Sequence, residues 1–229
     1  MKSSLVGLLL GWHRAATGKI LVDGEPMDSR RLDRLRNETA WVDPSIQIWN
    51  RSLVDNLLYG ASVDRTSPLE TVLGEADLYE MLQRLPNGLQ TNLGEGGGFF
   101  SGGEGQRVRL ARAMVRSRAR LVILDEPFRG LDREKRHDLL QRARRLWKDA
   151  TLLCITHDIN ETHDFPRVLV IESGRMVEDD SPVALQQKEG SFYRKLLESE
   201  KLVRRELWSS AVWRRLRLDD GKLAEAAGG

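Results

Sequence analysis

Residues Phe99 to Asp132 read FFSGGEGQRVRLARAMVRSRARLVILDEPFRGLD, and the rest of the chain is interpreted outward from this segment. In its second half, the apolar run Leu121–Leu124 is followed by Asp125 and Glu126, which predicts a short strand ending in two adjacent carboxylates. A run that is apolar at every position suits a strand covered on both faces, as in a parallel α/β sheet. Because successive side chains of a strand point to opposite faces, we expect the two carboxylates to have different roles.

The first half of the segment predicts a helix with an uncovered amino end. Ser101 is a suitable N-cap, and Gly102 and Gly103 leave the backbone N–H groups of the first turn accessible. Such N–H groups bind anions. Apolar residues follow at helical spacing with arginines between them: Val108, Leu110, Ala111, Met114 and Val115. A phosphate-binding turn followed by a carboxylate pair suits a nucleotide hydrolase, which must hold Mg²⁺ and polarise the attacking water.

In this order the two halves resemble the motifs of ATP-binding cassette (ABC) ATPases. FSGGE before QRVRLARAM is similar to the signature motif, and LVILDEP with Gly130-Leu131-Asp132 is similar to the Walker B strand and the D-loop. The alternative is a glycine-rich loop and a buried strand with a solvated acidic end. The resemblance implies an α/β fold: a P-loop NTPase core of the ABC ATPase type with an inserted α-helical subdomain.

The N-terminus resembles the last part of a P-loop, G-K-[ST] entering an apolar helix, with Met1 where the final glycine belongs. The resemblance assigns Lys2 to the β- and γ-phosphates and Ser3 to Mg²⁺, with Ser4 beside them at the nucleotide. An ordinary basic N-terminus before an amphipathic helix is the alternative, and the downstream motifs disfavour it. The remaining glycines and the strand before them are absent, so we interpret the core as incomplete, lacking N-terminal strands, from a fragment or a misassigned start.

A departure from the family pattern follows the predicted strand Thr39–Val42. The family has an ATP-facing glutamine where this chain has Pro44, which neither coordinates Mg²⁺ nor donates a hydrogen bond. Gln47 is either a substitute or a plain loop residue, and we favour the loop residue. Pro44 therefore puts the coupling between ATP and transport in doubt.

Helical spacing at Leu53–Tyr59 and Glu70–Leu85 resembles the helical subdomain of ABC exporters. Residues 91–97 resemble the exporter loop in which Glu95 would face helices of the membrane domain; an exposed glutamate in a flexible loop is the alternative. His157 directly follows a second predicted buried strand, Thr151–Thr156, at the place where α/β folds bind ligands. It resembles the H-loop histidine that reaches the γ-phosphate, although a lone histidine is more often structural.

The C-terminal part predicts a hairpin and a helix. The hairpin covers Arg167–Glu178 and the helix Pro182–Glu200. Residues 201–229 read as a basic helix against a membrane or partner, or as a loosely packed or disordered tail, and we favour the tail. The predicted organisation is thus an ATP-binding core at 1–44 and 119–200, a helical subdomain at 45–118 and a basic tail at 201–229.

Composition excludes some classes of function. The chain has 229 residues with 36 Lys plus Arg against 34 Asp plus Glu, a balance that gives no indication of nucleic-acid binding. The single cysteine, Cys154 in an apolar run, suits a reducing compartment. No apolar run approaches the ~20 residues that a membrane-spanning helix needs. We expect the chain to lie at the cytoplasmic face of the cell membrane.

The resemblance also implies a mechanism and partners. Two such domains pair head to tail around ATP and Mg²⁺, with a transmembrane exporter domain as the further partner. The resemblance assigns Mg²⁺ to Ser3 and Asp125, the attacking water to Glu126 and developing charge to His157. Asp132 would pass information between the two sites. The signature residues would complete the phosphate site from the other copy: Ser101, Gly102, Gly103 and Glu104, the last in place of the common glutamine.

Two alternatives accompany this hypothesis of an exporter ATPase. The first is a degenerate regulatory half that binds ATP with little turnover, as Met1 and Pro44 would suggest; Asp125, Glu126 and His157 argue against it. The second is a chromosome-maintenance ABC ATPase that clamps DNA. Such proteins insert long coiled coils between the P-loop and signature halves, and no sustained heptads occur here.

Overall fold

The computed structural model describes residues 2–43, 45, 47–61, 68–94, 100–209, 216–219 and 222–225, without the side chains of residues 2–3 and of those after 203. The chain divides into two compact units, residues 1–157 and 158–229. The first contains α1 (Lys2–Leu9), β1 (Leu21–Val22), β2 (Glu25–Pro26), α2 (Ser29–Asn37), β3 (Thr39–Val42), α3 (Leu53–Leu58), α4 (Leu69–Glu75), α5 (Tyr79–Arg84), a 3₁₀ helix (Gly88–Gln90), α6 (Gly102–Met114), β4 (Leu121–Asp125), α7 (Arg133–Leu146) and β5 (Thr151–Ile155). The second contains a 3₁₀ helix (Ile159–Thr162), β6 (Val168–Glu172), β7 (Arg175–Asp180), α8 (Pro182–Gln187), α9 (Phe192–Ser209), β8 (Leu216–Asp219) and β9 (Lys222–Glu225).

The core of the first unit is a parallel sheet with the strand order β3-β4-β5. Val122, Ile123 and Leu124 in the central strand β4 are fully buried, which confirms the prediction of an apolar strand covered on both faces. The prediction that β5 is equally buried is wrong. Only Ile155 of β5 is buried, because within the described sheet this strand pairs with β4 alone.

Helix α1 packs on the sheet and runs opposite to its strands. Val6 and Leu10 form one apolar cluster with Ile123 and Ile155. At the end of α1, the Leu10 carbonyl accepts a 2.9 Å hydrogen bond from Nε of Arg36, which lies shortly before β3 begins. The carboxyl end of α1 is therefore near the amino ends of the strands. The eight-residue helix is ~12 Å long, so its amino end points toward the carboxyl ends of the strands.

The region between β3 and β4 is helical, as predicted, but one predicted helix is divided. Residues 70–85 form α4 and α5 instead of a single helix, because Asp77 between them has a left-handed backbone with φ 55°. Asn56 connects two other helices of this region: it is fully buried in α3, and its Oδ1 accepts a 3.0 Å hydrogen bond from Nη2 of Arg112 in α6. The five apolar residues that follow Ser101 at helical spacing, from Val108 to Val115, are all buried.

The second unit contains the predicted hairpin, β6 and β7, which pair antiparallel around a turn with positive φ at Ser173 and Gly174. The predicted helix over Pro182–Glu200 is two helices, since Gly190 between α8 and α9 adopts φ 74°. Of the favoured interpretation of residues 201–229, disorder is wrong where the chain is described, since α9 continues to Ser209 and β8 pairs with β9. Loose packing is not contradicted, because Leu202 and Val203 of α9 are exposed. None of the helices described here is both long and apolar enough to cross a bilayer.

Candidate functional site

The two residues predicted to be catalytic contact each other at the carboxyl edge of the sheet. Glu126 follows β4 and His157 lies two residues beyond the end of β5. Nε2 of His157 is 2.6 Å from Oε1 of Glu126, and the histidine side chain is 73% exposed against 28% for the glutamate. Asp125, the last residue of β4, pairs in register with Ile155. An acidic pair and a solvent-facing imidazole thus meet at one edge of the sheet.

Glu126 has a strained backbone, which sequence reasoning did not anticipate. Its φ of 44° is left-handed, a conformation that costs a non-glycine residue energy and is concentrated at functional sites. Two hydrogen bonds hold it: the Glu126 N–H donates to the Ile155 carbonyl at 2.9 Å, and the Glu126 carbonyl accepts from Nε2 of Gln106 at 3.0 Å. Gln106 was missed as well. The available signal was its spacing: Gln106 lies four residues before Leu110, so the two share one face of the predicted helix.

The amino end of α1 faces this edge of the sheet. Lys2 and Ser3 begin the helix, but their side chains lie outside the described part of the chain, and Ser4 is exposed. Met1, Pro44 and Glu95 also lie outside the described residues. Gln47 is an exposed loop residue whose carbonyl accepts a 3.3 Å hydrogen bond from Arg112.

The signature turn forms the predicted helix cap. Oγ of Ser101 accepts a 3.3 Å hydrogen bond from the Glu104 N–H, and Oε2 of Glu104 accepts one of 2.9 Å from the Ser101 N–H. This reciprocal capping box satisfies two backbone donors of the first turn of α6. The N-cap role of Ser101 is therefore confirmed.

The two glycines of the turn have different surroundings. A Cβ atom added to Gly102 would have no described atom within 4 Å, whereas one added to Gly103 would lie 2.7 Å from Cδ2 of Leu131 and 3.3 Å from the Gly130 carbonyl oxygen. Gly103 therefore packs against the predicted D-loop, and Gly102 faces away from the residues that the structure describes. Asp132 at the end of that loop caps α7, accepting a 2.9 Å hydrogen bond from the Lys135 N–H.

Glu104, which the resemblance counts among the residues of the phosphate site, has its carboxylate turned toward Ser101 and Arg84. Its side chain is 10% exposed and forms an ion pair with Arg84 at the end of α5. Burial acts to raise the pKa of the Glu104 carboxyl, but the Ser101 N–H and Arg84 outweigh it and hold the pKa below its usual value. Glu104 is therefore a charged cap of the signature helix.

A second carboxylate joins the signature helix to the helix after the D-loop. Asp77 accepts from Nη1 of Arg107 in α6 at 2.7 Å and forms an ion pair with Lys135 in α7. Burial acts to raise the pKa of Asp77, but the two cations outweigh it and lower the pKa below its usual value. The left-handed turn between α4 and α5 thus positions a carboxylate that holds α6 and α7 together.

Asp77 makes stability dependent on pH in a predictable direction. Because its folded pKa lies below the usual value of 3.8, its contribution is complete above that pH and is lost as the pH falls through the lowered pKa. Asp77→Asn should lower the melting temperature by about 2–4 °C at pH 7. Thermal melts of both proteins should converge as the pH falls below the lowered pKa of Asp77, where its carboxyl is protonated in the folded protein as well. A difference that stays constant with pH would show that the carboxylate charge is irrelevant.

The comparisons with known proteins identify the family of this chain. The family model described as ABC transporter matches residues 2–129. The chain belongs to the ABC transporter family, which confirms the predicted class of protein and its P-loop ATPase fold.

The matching relatives include proteins named flippases and one solved exporter structure. The chain is 34% identical over 192 residues to an ATP-dependent lipid A-core flippase from Xylella fastidiosa strain Temecula1, covering 83% of this chain and 32% of that protein. It is 36% identical over 179 residues to the flippase of the same name from Xanthomonas oryzae pv. oryzae, covering 77% and 30%. A solved structure, a bacterial Atm1-family ABC exporter with ATP bound, superposes with a TM-score of 0.78 at 28% identity, covering 87% of this chain and 34% of that one. The chain thus spans about a third of the length of these proteins.

Proposed function

We propose that this chain is the ATP-binding and ATP-hydrolysing domain of an ABC exporter, which drives a substrate across a membrane through ATP-dependent dimerisation. The observation that carries the proposal is the contact between Glu126 and His157 at the carboxyl edge of a parallel sheet. The hydrogen bond from Arg36 to the Leu10 carbonyl, at the opposite end of α1, agrees with an amino end directed to this edge. Two relatives named ATP-dependent flippases and an exporter structure with ATP bound support it.

The chemistry follows from what each group can do at this edge. Lys2 would neutralise charge on the transferring phosphoryl group, with Ser4 beside it at the nucleotide. Glu126 would orient and polarise the attacking water, and His157 would stabilise charge that develops on the γ-phosphate. The strained backbone of Glu126 is held on both sides by hydrogen bonds, so its carboxylate is positioned before the nucleotide arrives.

Mg²⁺ fits the donor set at this edge. Asp125 supplies a hard carboxylate oxygen, and Ser3 would add a hydroxyl. Among the described side chains, no three or more His, Cys, Asp or Glu residues are grouped so that they could hold a metal ion by themselves. Mg²⁺ suits such a sparse site because it keeps several waters and takes further oxygens from phosphates. When bound, the ion would neutralise phosphate charge.

The second half of the site would come from another copy or a related domain. The N–H groups at Gly102 and Gly103, with Ser101, would close on the γ-phosphate of a nucleotide bound to the partner, while Asp132 would link the two sites. The further partner would be the transmembrane domain of the exporter, and this chain would then lie at the cytoplasmic face of the cell membrane. The division into a core at 1–44 and 119–200, a helical subdomain at 45–118 and a tail remains part of this proposal.

The two glycines of the turn offer a test with an internal control. Gly102→Ala adds a methyl group where no described atom of the chain lies within 4 Å, and alanine favours the helix. In the complete transporter this variant should keep its melting temperature and lose about tenfold in ATP turnover, since the phosphate has to approach these N–H groups closely.

Gly103→Ala is the matched control, because its methyl group would lie 2.7 Å from Leu131. It should lower both the melting temperature and turnover, as expected of a steric conflict within the chain. Normal turnover in Gly102→Ala would mean that no ligand approaches this turn, and the proposed site would be wrong.

A further inference from the structure

Glu104 brings a negative charge to the turn that is proposed to receive a phosphate. It lies two residues beyond Gly102, and its backbone N–H belongs to the same first helical turn. A carboxylate at this place would repel an anionic ligand unless another group neutralises it. The neutral glutamine common in this motif needs no such partner, whereas Glu104 requires a neutralising group elsewhere in this chain.

Arg84 is the group that neutralises Glu104. It is the last residue of α5 and contacts Oε1 of Glu104, while Oε2 accepts the Ser101 N–H at 2.9 Å. Both carboxylate oxygens are therefore engaged, and the Glu104 side chain is 10% exposed. The Arg84 side chain is 63% exposed, so the pair leaves its positive member at the surface.

The cap and the ion pair depend on the same carboxylate. An unpaired Glu104 could rotate away from the Ser101 N–H, and its charge would then act on the open side of the turn, where Gly102 lies. Removal of Arg84 is thus expected to weaken phosphate binding through Glu104 and not through any contact of Arg84 with the ligand. This consequence distinguishes neutralisation from a direct phosphate contact.

We propose that Arg84 is a positioning residue that neutralises Glu104 and so keeps the signature turn able to accept the γ-phosphate of ATP. The inference rests on the proposed function, since it assumes that the turn receives a nucleotide. The ion pair between Arg84 and Glu104 thus takes the place of the neutral glutamine that is common in this motif.

The test measures ATP hydrolysis by the complete transporter in a double-mutant cycle. Arg84→Gln should raise the KM for ATP about tenfold when Glu104 is present and less than about twofold in the Glu104→Gln background. In both backgrounds kcat should change less than KM. Arg84→Lys keeps the positive charge, so most of the increase in KM should be absent. This result would exclude a general folding defect as the cause of the Arg84→Gln effect.

Salt provides a readout that a merely structural role would not affect. Higher ionic strength screens an unpaired carboxylate, so the ratio of the Arg84→Gln KM to the wild-type KM should fall between about 0.05 and 0.5 M NaCl. An equal penalty of Arg84→Gln in both backgrounds, or a ratio that is independent of salt, would overturn the inference. Neither result would affect the proposed function, which instead fails if the transporter does not hydrolyse ATP or if hydrolysis does not require Glu126.

Discussion

Replacing Glu126 by glutamine is expected to reduce ATP turnover by the complete transporter at least about 100-fold while ATP binding persists. The amide removes the carboxylate charge that polarises water, an effect of this order for a general base. It keeps the size of the side chain and an oxygen that can accept from His157, whose Nε2 lies 2.6 Å from Oε1 of Glu126. The substitution also adds no backbone strain, since glutamine and glutamate meet the same steric limits at the left-handed φ of 44°.

The measurement has two parts, a hydrolysis rate and the ATP retained after rapid gel filtration. Glu126→Gln should hydrolyse slowly and retain unhydrolysed ATP, because the nucleotide binds but does not react. Glu172→Gln is a matched control: Glu172 also ends an apolar strand, β6, but is exposed in the second unit. Turnover at the wild-type rate in Glu126→Gln would remove Glu126 from the mechanism.

Local signals predicted the elements that form the site. The apolar run before Asp125 has no polar position at which a strand could face water, so it predicted the buried central strand β4 correctly. Ser101 before a helix with regular apolar spacing predicted the N-cap. In both cases a few consecutive residues contain the cause of the structure.

Features that depend on distant contacts were not predictable in the same way. The left-handed turn at Asp77 is associated with ion pairs to Arg107 and Lys135, 30 and 58 residues further along the chain. The partner of Glu104 is Arg84, 20 residues earlier, on a different helix. No sequence periodicity relates such pairs, because they meet only when the helices pack.

The capping role of Glu104 is a further feature that a local pattern indicates. The pattern Ser-x-x-Glu from Ser101 to Glu104 is a capping box, which sequence alone can indicate. The capping geometry makes the acidic residue compatible with the family motif, since its charge is turned toward Ser101 and Arg84.

The proposed sharing of each nucleotide site between two copies leads to a complementation experiment with a large expected effect. Lys2→Ala should abolish the phosphate contact made by one copy. Gly102→Asp should place a negative charge at the turn of the other copy without a clash, because its added Cβ meets no described atom within 4 Å. An acidic residue in the first helical turn is favourable for α6 itself. Each variant alone is therefore expected to fold and to hydrolyse ATP at less than about 1% of the normal rate.

Mixed pairs isolated through a different tag on each copy should recover about half of the normal turnover, since one of the two equivalent sites of a symmetric pair would combine an intact Lys2 with an intact Gly102. The control pairs Lys2→Ala with a copy carrying both substitutions; neither site then has its lysine, so no activity should return. If Lys2 and Gly102 instead served a nucleotide within one copy, every site in the test pair would contain a lesion. Absence of recovery in the isolated mixed pair would therefore contradict a site shared between copies. Recovery would require that the signature turn of one copy acts on the nucleotide of its partner.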